Sequence, residues 1–109
     1  RLVLADALSY ARNQGCTLLI DVATLTGACV VALGDEIAGV MGNDLAMLRQ
    51  LLQSSRMAGE SFWWLPLPES LKEQLRSSVA DCRNSGGRFG GALVAGLFLQ
   101  KFVGSTPWI

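Results

Sequence analysis

The chain has no histidine. Ser-His-Asp and Cys-His catalysis are therefore excluded within these residues, as are histidine metal sites. Charge is also scarce. Only 17% of the 109 residues are charged, and nine basic residues cancel nine acidic ones. With no basic run or stripe, nucleic-acid binding through phosphate neutralisation has no support. Cysteine is limited to Cys16, Cys29 and Cys82, with no Cys-x-x-Cys pair. Such a set fits buried thiols in a reducing compartment better than a disulfide frame or a zinc site. The longest apolar runs, such as Leu93 to Leu99, fall well short of the ~20 residues of a membrane span. Neither a signal-peptide pattern nor an internal repeat is visible.

Apolar residues are what the chain has in excess, at 50% of the total. A short chain has a large surface fraction. This composition therefore points to a slice of a larger protein, whose helices are covered by other parts. Leu2 to Asn13 reads as a helix with one narrow polar stripe at Asp6, Ser9 and Asn13, ended by Gly15. Thr17 to Val22 is a continuous apolar run, as in a buried central parallel strand. A helix leading into such a strand predicts an α/β fold. Ala28 to Leu33 is compatible with helix or strand, and Glu36 to Met41 reads as a further strand.

Asp44 is placed as the N-cap of a helix reaching Ala58, with Leu45, Leu48 and Leu52 facing inward and Gly59 as the stop. Phe62 to Pro68 carries two prolines and is expected as a connector. Trp63 and Trp64 within it are expected to pack in the core or against another subunit. Ser70-Leu71-Lys72-Glu73 has the form of a capping box for a short helix to about Ser78. Val79 to Arg83 reads as strand-like. The loop Asn84 to Gly91 precedes an almost wholly apolar helix from Ala92 to Val103, and Trp108-Ile109 reads as the start of another strand.

Two segments have the makings of a site. Arg1 stands at the start of the first helix, where the helix dipole does not favour a cation, so a specific partner is plausible. Thr24-Leu25-Thr26-Gly27 follows the first apolar run. Turns at the C-terminal end of a strand are where α/β proteins place ligands. Its hydroxyls could equally serve only to bond the turn's own backbone. The glycine cluster Gly86 to Gly91 lacks a following Lys-Ser/Thr, so it is no Walker loop and leaves a nucleotide-binding domain with little support.

Arg1 to Leu8, Ile20 to Gly34, Trp64 to Leu67 and Gly90 to Val103 together resemble the leucyl aminopeptidase (cytosol aminopeptidase) family. Its motif Asn-Thr-Asp-Ala-Glu-Gly-Arg-Leu is matched here from Arg1 onward. The resemblance implies that residues 1–109 are part of the C-terminal catalytic domain, truncated at both ends. The expected architecture is part of an α/β/α sandwich around a mixed, mainly parallel sheet. By the same resemblance, Arg1 is catalytic and holds a bicarbonate ion that acts as general base. Leu25 would offer its carbonyl and Gly27 its N–H to the substrate backbone, and Thr24 and Gly27 would border the pocket for the first side chain. Residues of Ala92 to Gly96 would help to wall it. Two divalent metals, zinc or manganese, are expected on ligands upstream of Arg1, with Asp6 and Asp21 structural. The implied protein is a cytoplasmic homo-hexamer that removes N-terminal residues, leucine above all, from peptides, and the 109-residue piece would be inactive alone. A structural module that keeps the fold without catalysis is the alternative.

Overall fold

Residues 1–109 are all described by the computed structural model. Helix α1 runs from Leu2 to Asn13 and turns its Ala5 and Leu8 face inward. Helix α2, Ala28–Leu33, settles the open choice for that segment in favour of helix. Strand β1 is Ala38–Val40, shorter than expected. Helix α3, Leu45–Ala58, starts and stops where its capping residues predict. The Asp44 carboxylate accepts the Met47 N–H at 2.9 Å, and Gly59 closes the helix in the left-handed conformation at φ +77. On its inner face Leu48 is buried, whereas Leu45 is 44% exposed.

Phe62–Trp64 forms strand β2, parallel to β1, with Ala38 opposite Phe62 and Val40 opposite Trp64. The expectation of a connector there is wrong for a simple reason. Pro66 and Pro68 lie beyond the paired residues, so no ladder donor is lost. Trp63 and Trp64 do not enter the core of this chain; they are 62% and 47% exposed.

The next helix is a 3₁₀ helix, Glu69–Leu75, that begins at Pro68 without a side-chain cap. The expected capping box does not form, because Glu73 pairs forward with Arg76 at 2.9 Å. Val79 to Arg83 is not a strand. The Ser77 hydroxyl accepts the N–H groups of Val79 and Ala80 and folds the segment into a turn.

Helix α4, Gly91–Val103, is the centre of the structure. Val94, Leu97, Phe98, Leu99 and Val103 are almost fully buried, joined by Ala5, Leu8, Leu19, Leu75 and Trp108 in one cluster. A smaller cluster of Val40, Leu48 and Ile109 ties α3 to the β1 side.

Leu19 meets Trp108 in a parallel bridge. The Leu19 N–H bonds the Pro107 carbonyl, and the Asp21 N–H bonds the Ile109 carbonyl. The apolar run Thr17 to Val22 is thus extended and paired, but over three residues on one side. Ile20 and Val22 are 64% and 96% exposed, against the expectation of burial on both faces. All strand pairings are parallel, and the class is α/β as expected. Only 17 of 109 residues are buried, so much of the apolar surplus lies on the surface.

Candidate functional site

The turn after the extended segment around Leu19 is built by Thr26. Its hydroxyl accepts the Ala28 N–H at 3.2 Å and its carbonyl accepts the Cys29 N–H, which starts α2. Leu25 is half-buried and packs against the main core. This side chain holds the turn to the body of the protein, so its backbone can point elsewhere. No backbone group of the chain engages the Leu25 carbonyl or the Gly27 N–H. Thr24 is exposed. A Cβ added to Gly27 would meet nothing within 4 Å. The fold itself therefore places no steric demand for glycine here. Of the two hydroxyls, only Thr26 takes the purely local role that turn chemistry offers both.

Arg1 is half-exposed at the N-terminus of α1, whose first turn has no side-chain cap. Its Nη1 donates to the Asn84 carbonyl at 2.6 Å. That uses one of the five N–H donors of the guanidinium. The others have no partner within the chain, and a guanidinium with free donors suits an anion.

The turn and the loop that receives Arg1 each have a neighbour packed on the first turns of α4. Ala28 lies over Gly91, where an added Cβ would sit 3.1 Å from the Ala28 Cβ. On the Arg1 side, the loop after Asn84 brings Gly86 against Val94. Within Ala92 to Gly96, the residues Ala92, Val94, Ala95 and Gly96 are closed into the core, leaving half-buried Leu93 as the side chain with an open face.

Asp21 is structural. Its carboxylate accepts the Trp108 indole N–H. Burial raises its pKa, and the Trp108 bond offsets part of that rise. No group of three or more His, Cys, Asp or Glu residues could hold a metal ion. All three cysteines are free, but Cys16 is exposed rather than buried. Gln74 carries no motif signal, yet its Oε1 accepts the Gly87 N–H at 2.9 Å. Two cavities lie elsewhere, one beside β2 and the end of α3 and one around the Gly34 turn, with none of the predicted site residues in their walls.

Comparison with known proteins gives a consistent result. The model of the cytosol aminopeptidase family's catalytic domain matches residues 1–109. The probable cytosol aminopeptidases of Koribacter versatilis and Solibacter usitatus are 52% and 54% identical over 109 residues, all of this chain and 21% and 23% of theirs. A tomato leucine aminopeptidase mutant of known structure superposes with a TM-score of 0.94 at 44% identity, over 98% of this chain and 21% of that one. The chain thus spans about a fifth of the length of the relatives it matches.

Proposed function

This chain belongs to the cytosol aminopeptidase family, and on that premise we propose that it supplies the substrate-binding turn and the anion-holding arginine of a metal-dependent aminopeptidase. The reaction is release of N-terminal residues, preferentially leucine, from peptides. The observation that carries this reading is the turn at Leu25 and Gly27, with an unengaged carbonyl, an unengaged N–H and open space beside the start of α4.

The Leu25 carbonyl accepts from a substrate N–H, and the Gly27 N–H donates to a substrate carbonyl. Together they hold the peptide backbone as an added strand would be held. Glycine at position 27 lets that backbone approach closely. Thr24 and Gly27 border the space for the first side chain.

Arg1 suits a planar anion such as bicarbonate. Its fork can pair two oxygens at once, and one N–H is already fixed by Asn84. Bicarbonate, when bound, supplies a general base. The protein's own contribution is to hold that anion in place and orient it.

The acidic residues of this chain do not fit a metal centre. The two divalent ions of this reading, zinc or manganese, belong to residues outside these 109. A cytoplasmic homo-hexamer acting on peptides completes the proposal.

The test is hydrolysis of leucine amide by the complete gene product, with manganese added and with metals chelated. Metal-dependent release of leucine is expected, and Arg1→Ala should lower turnover by about 10²-fold or more. No release from an intact, metal-loaded assembly would replace this reading with that of a structural module.

A further inference from the structure

We propose that Gln74 is a positioning residue for Arg1, acting through the loop from Arg83 to Gly87. The inference rests on the reading of Arg1 given above. It starts from how this loop is held. At one end, the Arg83 N–H bonds the Leu75 carbonyl at 2.9 Å. At the other, the Gly87 N–H bonds the Gln74 Oε1 at 2.9 Å. Both anchors belong to the end of the 3₁₀ helix, where Leu75 is 2% exposed and locked in the core. Between them lies the Asn84 carbonyl that receives Arg1 Nη1.

Gly86 makes the clamp tight. A Cβ there would lie 2.5 Å from Gln74 Oε1, 2.9 Å from Val94 Cγ1 and 3.1 Å from Gln74 Cβ. The loop backbone is therefore pressed onto Gln74 on one side and α4 on the other. Glycine-rich backbone is otherwise the freest a chain can have. Of the two anchors, the Leu75 one is pure backbone. Gln74 supplies the side-chain bond that keeps Gly87, and with it the Asn84 carbonyl, in one place.

The consequence is chemical. A bond from a guanidinium to a fixed carbonyl is charge-assisted and directional. It anchors one edge of the Arg1 fork and leaves the remaining donors without a partner in the chain. If the loop slackens, the charge of Arg1 stays but its orientation is lost. Displacements of about 1 Å at a reacting centre can cost about 10²-fold in rate.

The experiment uses the complete gene product and leucine amide. Gln74→Met keeps the length of the side chain and removes the acceptor. Expected is a fall in kcat of about 5- to 20-fold with KM changed less than about twofold, since orientation and not binding is lost. Gln74→Glu keeps an acceptor and should restore most of kcat. Hydrogen exchange should quicken over residues 84–90 in Gln74→Met and not in Gln74→Glu. In an Arg1→Ala background, Gln74→Met should change kcat by less than about twofold, because residues that act through one another are not additive. Should Gln74→Met fail to fold, Gln74→Ala serves in its place.

An unchanged kcat in Gln74→Met overturns the proposal, as does an effect that multiplies with Arg1→Ala. In both cases a large effect of Arg1→Ala alone leaves the aminopeptidase reading standing. An inert Arg1→Ala overturns the role of Arg1 and this proposal with it.

Discussion

Gly27 and Gly42 show how differently one residue type can be used. A Cβ at Gly42 would sit 2.5 Å from the Trp108 carbonyl oxygen and 3.2 Å from the Ile109 Cα, both backbone atoms with no room to move. Gly42→Ala should therefore destabilise the protein by about 2 kcal/mol, read from denaturant midpoints. Gly27 meets nothing within 4 Å and has φ −62, so alanine fits the fold. Gly27→Ala should leave the melting temperature within a degree or two and still lower kcat/KM for leucine amide by about tenfold or more. Unchanged kcat/KM would remove Gly27 from the substrate site. Asp21 adds a pH dependence. Its folded pKa is raised by burial, so the native state holds the proton more tightly than the unfolded chain. Its contribution to stability then falls as pH rises from about 3.9, the ordinary aspartate value, through the raised one. Asp21→Asn should lessen the loss of stability over that interval, measured by urea denaturation at several pH values.

At the scale of elements, legibility followed local chemistry. Helix α3 is bounded by Asp44 and Gly59 just as its caps require. Replacing the cap, Asp44→Ala, should cost about 1 kcal/mol in chemical denaturation, because the Met47 N–H loses its acceptor. The strands were harder. Phe62–Trp64 pairs because Val40 and its neighbours lie alongside, a fact of register that no local pattern carries. Ser70 and Glu73 have capping-box spacing, yet the chain enters the 3₁₀ helix from Pro68 and Glu73 turns to Arg76. Short motifs with two possible partners are decided by whichever the backbone brings nearer.

The whole molecule carries its apolar excess outward. Val3, Val22, Val31 and Val79 are each more than 80% exposed, and α2 has no buried residue. Apolar side chains in this number are rarely left to water unless something else covers them. Residues 1–109 expressed alone should therefore bind an environment-sensitive apolar dye strongly. They should hydrolyse no leucine amide at any manganese concentration, given the missing metal site. Activity from the isolated piece would contradict the assignment of the metals to residues outside it.

Residue type and order alone determined the class, helices α1, α3 and α4, and the Asp44 and Gly59 caps of α3. Helical periodicity, capping chemistry and a strand-ending turn are properties of neighbours in sequence. Tertiary structure alone decided that Arg1 rests on the Asn84 carbonyl, 83 residues away, and that the Gln74 Oε1 accepts the Gly87 N–H of the same loop. It also decided that the Leu25 carbonyl and Gly27 N–H stay unengaged. These depend on which backbone groups find partners after packing around α4. Such pairings have no signature in local composition, because any residue offers the same N–H and C=O.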